Sequence, residues 1–98
     1  MATYYSPRLA GHFTANGERY DPERFTAAHP VLPFGTHVQV TRLDGPPAEV
    51  VVRINDRCKG KKKIIDVSEA AARRLDMMRA GIVRERLRVI AEPAARSR

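Results

Sequence analysis

Residues 50–58 read VVVRINDRC, and this stretch decides the fold class. Val50, Val52 and Ile54 alternate with Val51 and Arg53, a period of two that lays one apolar face along a strand from Glu49 to Ile54. The segment before it, His37–Leu43, alternates in the same way, with Val38 and Val40 on one side and Gln39 and Thr41 on the other. Asp44-Gly45-Pro46-Pro47 separates the two as a turn, which predicts antiparallel pairing. The second strand then delivers one carboxylate, Asp56, between two cations, Arg53 and Arg57.

Working outward, Thr3–Tyr5 reads as a short strand ended by Ser6-Pro7, and Asn16-Gly17 as a tight turn. At most one helical turn is expected near Pro22–Ala27, and FTAAHPVLPFGT, with Pro30, Pro33 and Gly35, reads as a constrained loop. CKGKKK is an exposed basic loop leading into a strand over Lys63–Val67. Ser68 is placed to cap a helix over Glu69–Met78, with Glu69 in its first turn and Ala72, Leu75 and Met78 as its apolar stripe. A last strand, Ile82–Ile90, sets Val83, Leu87 and Val89 against Arg84, Arg86 and Arg88. Residues 92–98 form a polar tail. The sum is mainly β, a small barrel with one helix.

The 98 residues suit one domain. A formal net charge of +7 favours a polyanionic partner: nucleic acid, anionic lipid or an acidic polymer such as bacterial cell wall. Cys58 is the single cysteine, so no disulfide forms within the chain, and no apolar run approaches the ~20 residues that span a bilayer. No signal peptide is visible at Met1–Thr3, which fits a cytoplasmic protein or the mature part of an exported one. His12, His29 and His37 lack metal-ligand spacing with Cys58 or the acids, so no metal and no cofactor is expected.

The pieces ATYYS, TANGERYDP, TAAHPVLPFGTHVQVT, VVVRINDR and IIDVSEAAARRL, in that order, resemble the double-psi β-barrel domain of rare lipoprotein A, the septal-ring lytic transglycosylase family. The resemblance covers residues 2–91. It implies a six-stranded barrel with one or two short helices and a polysaccharide groove. It further implies cleavage of peptidoglycan glycan strands without water, leaving a 1,6-anhydro-N-acetylmuramic acid end. Peptidoglycan is then the partner, the cell envelope the location, and the chain a monomer with no stable membrane insertion. The alternative on the same scaffold is an expansin-like module that binds or loosens wall without cleaving it. A third reading, a nucleic-acid binder, is allowed by charge alone, but no nucleic-acid motif appears and aromatics are few.

On this resemblance Asp56 matches the family's essential acid. It would protonate the departing glycosidic oxygen and then take the proton of the attacking C6 hydroxyl, so that one carboxyl serves where hydrolases use two. Glu18 matches a second family position, where it would orient the sugar or share a proton with Asp56. His29 matches a groove histidine, and Thr14 a threonine near the acid in related barrels or, equally, a buried turn hydroxyl. Asn55, Arg57, Lys61 and Lys62 are expected at the substrate, Arg57 either attracting the polymer or holding a loop. Nearby arginines oppose a general acid by lowering its pKa. Arg53, three residues before Asp56 on an extended strand, is therefore expected on the opposite face. Asp66 reads as structural, binding loop or helix N–H groups. Where the family has Gly-Pro and an aromatic after NDR, this chain has CKGKKK, and Cys58 between cations is expected to favour its thiolate.

Overall fold

The computed structural model describes residues 1–60 and 64–93. Among them, six strands form one sheet: β1 (Ala2–Tyr4), β2 (Thr26–Ala28), β3 (His37–Arg42), β4 (Ala48–Asp56), β5 (Ile65–Val67) and β6 (Glu85–Ala91). Their order is β1-β5-β2-β4-β3-β6. The two edges meet where Ala2 and Val83 exchange backbone hydrogen bonds of 2.8 and 3.0 Å, which curls the sheet into the expected double-psi barrel. A 3-10 turn (Pro7–Leu9) and one helix, α1 (Glu69–Arg74), complete the frame. No helix among the described residues is long and apolar enough to cross a membrane.

The interior is built by the alternation that the sequence carries. Val38 and Val40 from β3, Val52 and Ile54 from β4, and Ile65 and Val67 from β5 are all fully buried. Ala71 and Ala72 of α1, with Leu75 and Met77 just beyond it, close the same core. Ser68 caps α1 by accepting the Ala71 N–H, and Glu69 lies in the first turn, as expected.

Three elements depart from the sequence reading. The segment Thr26–Ala28, read as helical turn and loop, is β2, a central strand flanked by β4 and β5. Three residues are too few to carry a period. The helix ends at Arg74 rather than Met78, because Asp76 turns left-handed (φ 54°) and Arg42 of β3 donates to the carbonyls of Leu75 (3.2 Å) and Asp76 (2.6 Å). In β6 Leu87 packs on the core opposite Val40, but Val89, opposite Val38, is exposed, while Val83, just before the strand, is buried. Lys63, expected to start β5, lies outside the described residues, as do Lys61 and Lys62.

The feature that places the site is a bulge. β4 runs parallel to β2 with Thr26 opposite Arg53 and Ala27 opposite Ile54, but Ala28 is opposite Asp56. Asn55 is the extra residue. Strict alternation from Ile54 would have turned Asp56 into the barrel. The bulge resets the phase and turns Asp56 onto the outer face instead. Asn55 is buried at 2% exposure, and among the described residues its Oδ1 has no hydrogen-bond partner.

Candidate active site

Asp56 sits half-buried at the end of β4 as an acceptor of three donated hydrogen bonds. The N–H groups of Ala15 (2.8 Å) and Arg57 (2.9 Å) donate to Oδ1, and the Tyr5 hydroxyl donates to Oδ2 at 2.5 Å. Tyr5 follows directly on β1. Its ring stacks on Tyr20 with centroids 4.4 Å apart and 18° between planes, and Tyr20 in turn accepts the Glu69 N–H of α1. Burial, then the bond to Asp56, pushes the Tyr5 phenol far above its usual range, so it stays a donor. The residues alone did not single out Tyr5. The signal was present in ATYYS, where Tyr4 packs on the core and Tyr5, the next residue, leaves the strand.

Of the two arginines, Arg53 departs from the expectation and Arg57 matches one of its two readings, that of holding a loop. The bulge puts Arg53 on the same outer face as Asp56, not the opposite one. Its charge is taken by Glu18, whose two oxygens accept from the Arg53 guanidinium at 2.9 and 3.1 Å. Glu18 Oε1 also accepts from Asn55 Nδ2 at 3.0 Å, and these bonds hold the Glu18 carboxyl down at about 2. Glu18 is therefore an ionised anchor, and the structure assigns it no shared proton with Asp56. Arg57 reaches the carbonyls of His29 (3.3 Å) and Leu32 (2.8 Å) and lies over the Phe34 ring at 4.1 Å. It holds the 29–34 loop.

The TANGE turn brings Glu18 and Asp56 to one end of the barrel. Gly17 takes φ 93°, which a side chain would resist, and Thr14 uses its buried hydroxyl on Asn16 Oδ1 (2.7 Å) and the Glu18 carbonyl (3.0 Å). Of the two readings of Thr14, the geometry matches the turn hydroxyl. Asn16 N–H donates to the Asn55 carbonyl at 3.2 Å, which docks the turn on the bulge. Asn55 faces Glu18 and is buried, where the sequence reading had it project into the groove. His29 is 3% exposed. Its Nδ1 accepts the N–H groups of Val31 and Leu32, both at 3.1 Å, so the ring is the neutral tautomer with hydrogen on Nε2. The backbone N–H of His29 donates to the backbone carbonyl of Asp56 at 3.2 Å. Asp56, Glu18 and His29 thus gather at one end, each held differently.

Two further groups correct the sequence reading. Cys58 packs half-buried against Tyr5, Tyr20 and Ala28. Burial, followed by the charges of Asp66 and Asp56, pushes its thiol up despite Arg57, so the thiolate is disfavoured. Among the described residues Asp66 accepts no helix N–H group, and Ser68 takes that task. Its Oδ1 accepts the Thr3 hydroxyl at 3.0 Å, and burial raises its pKa, with Asp56 adding to the shift.

The lytic transglycolase family model matches residues 1–87. The probable endolytic peptidoglycan transglycosylase RlpA of Treponema pallidum (strain Nichols) is 50% identical over 84 residues, covering 85% of this chain and 26% of that protein. The endolytic peptidoglycan transglycosylase RlpA of Vibrio cholerae is 42% identical over 90 residues, covering 91% of this chain and 34% of that one. This chain thus spans about a third or less of these relatives. Among solved structures, the Streptomyces papain inhibitor superimposes with a TM-score of 0.66 at 26% identity, covering 86% of this chain and 84% of its own. A barrel with this strand order, this acid at the end of β4 and these relatives belongs to the lytic transglycolase family.

Proposed function

We propose that this barrel is a peptidoglycan lytic transglycosylase of the cell envelope, acting as a single chain. It cleaves the bond between N-acetylmuramic acid and N-acetylglucosamine and leaves a 1,6-anhydro-muramic end. The observation that carries this reading is Asp56, turned outward by a bulge and held by two backbone N–H groups and a phenol. A proton transfer needs such placement, because catalytic groups must be fixed to within about 0.5 Å. The Asp56 carboxyl gives its proton to O4 as the C1–O4 bond breaks, and its carboxylate then takes the proton of the muramic C6 hydroxyl as that oxygen bonds to C1. The names of the relatives support the same substrate. Lys61 and Lys62, with Arg84, Arg86 and Arg88, supply positive charge for an acidic wall polymer.

The test is digestion of purified sacculi with product analysis by mass spectrometry. The parent should release anhydro-muropeptides, and Asp56→Asn should reduce release by about 10²–10⁴. Asparagine fits the site: its Oδ1 still accepts the two N–H groups, and its amide can donate to the Tyr5 oxygen. Sacculus binding without product, on intact and on peptide-stripped glycan, would replace the enzyme with a wall-binding module.

A further inference from the structure

We propose that Asn55 is a positioning residue for the lytic reaction: its buried side-chain amide fixes the 14–18 turn on β4, and that turn aims the Asp56 carboxyl. This rests on the activity proposed above and adds to it a residue that acts through Asp56. The bulge decides only which face of β4 carries Asp56. On that face the carboxyl still rotates about its own bonds unless donors hold it. Of its three donors, the Arg57 N–H follows it in the chain and the Tyr5 hydroxyl comes from the end of β1. The third is the Ala15 N–H, 2.8 Å from Oδ1, on a turn that lies outside the strands. Whatever fixes that turn is therefore part of the geometry of the acid.

The turn is tied to residue 55 twice. The Asn16 N–H donates to the Asn55 backbone carbonyl at 3.2 Å, and Asn55 Nδ2 donates to Glu18 Oε1 at 3.0 Å. The turn is also closed on itself, Thr14 N–H to the Glu18 carbonyl at 2.7 Å and Gly17 N–H to the Thr14 carbonyl at 3.0 Å. A segment closed in this way moves as one body, so Glu18 and Ala15 shift together. The insertion that turns Asp56 outward also leaves Asn55 without an opposite residue on β2, and its side chain meets the turn instead.

The residue type follows from the partner. Glu18 already receives the Arg53 guanidinium, and Asn55 gives it a further donor without adding a charge at a position that is 2% exposed. An aspartate at 55 would bury a second carboxylate against Glu18. An apolar residue would leave Glu18 to Arg53, a long side chain that is partly exposed. At its burial the Asn55 amide does not meet a substrate, so its effect on the reaction runs through the turn to Asp56.

The experiment uses Asn55→Leu, which keeps the shape and removes the donor. Among the described residues the Asn55 Oδ1 has no partner, so the side chain gives up one hydrogen bond. On solubilised glycan strands kcat for release of anhydro ends should fall about tenfold, the size of one hydrogen bond to a charged group, with KM unchanged. In nitrogen-15 spectra the Ala15 amide should shift and exchange faster, while the buried Val40 and Val52 amides keep their parent positions. In a Glu18→Ala background Asn55→Leu should leave kcat unchanged, because the link is already cut. Parent-like kcat in Asn55→Leu overturns the assignment with the activity left standing, and so does a fall in kcat with the Ala15 amide unmoved. The same tenfold loss in the Glu18→Ala background also overturns it, since it marks a residue that supports the strand and not the turn. A parent that releases no anhydro ends removes the reaction and the assignment with it. One measurement needs no variant and stands even where Asn55→Leu does not fold. The side-chain NH2 of Asn55 in the parent should exchange slowly with solvent, and exchange at the rate of an unbonded amide refutes the bond to Glu18.

Discussion

Tyr5→Phe isolates the bond between the phenol and Asp56. The ring is 7% exposed and stacks on Tyr20 at 4.4 Å, and phenylalanine keeps both the packing and the stack. What disappears is the 2.5 Å hydrogen bond to Asp56 Oδ2. A bond to an ionised partner contributes about 1.5–3 kcal/mol, and because water reaches the half-exposed Asp56 the low end, about 1.5 kcal/mol, is expected. At about 4–8 °C per kcal/mol for a domain of this size, the melting temperature should fall by about 6–12 °C. The carboxylate then loses one of the three groups that orient it. A comparable loss in the transition state corresponds to about tenfold in kcat, at 1.36 kcal/mol per factor of ten, with KM little changed. Scanning fluorimetry gives the first quantity, and timed release of anhydro-muropeptides the second. Tyr5→Phe should cost less in an Asp56→Asn background, because the charged acceptor is already gone. Equal losses in both backgrounds, or a parent-like melting point and rate, would refute a working bond between these two residues.

Arg57→Lys keeps the charge but cannot serve two carbonyls while stacking on Phe34; it should loosen the 29–34 loop and lower product release, with low-salt sacculus binding unchanged, and unaltered protease sensitivity of that loop would count against it. Glu18 has its folded pKa lowered to about 2, so its contribution is present above the ordinary carboxylate range and is lost as pH falls towards about 2. Because Glu18 and Arg53 are partly exposed, that contribution is below about 1 kcal/mol. Amide exchange at residues 14–18 should rise between about pH 4.5 and 2 and become insensitive to acid in Glu18→Gln; flat exchange in the parent would dismiss the pair as an anchor. Cys58 should alkylate slowly at neutral pH, since burial and the neighbouring carboxyls hold its thiol up; rapid parent alkylation at neutral pH would contradict this.

The sequence alone carried whatever depends on near neighbours. Alternation in VQV and VVVRI produced β3 and β4, because a period of two is a property of the extended backbone itself. Ser68 followed by Glu69 marked the start of α1, because an N-cap acts within one turn. The ordered motifs, through their resemblance to one family, indicated the barrel and pointed to Asp56. The extent of β2 was hidden, since Thr26–Ala28 is a strand by virtue of the two strands it lies between. The end of α1 depended on Arg42, 33 residues away in sequence from the Leu75 carbonyl it binds. The direction of Asp56 was decided by tertiary structure, because the bulge at Asn55 exists only against the register of β2. So was the fate of the charges flanking it. Arg53 meets a carboxylate from the TANGE turn, and Arg57 meets carbonyls and a ring from the 29–34 loop. The Cys58 thiol, between cations in the sequence, lies in space beside two carboxylates. Charge and burial act through distance, and the barrel closure sets distances between residues that the chain keeps far apart.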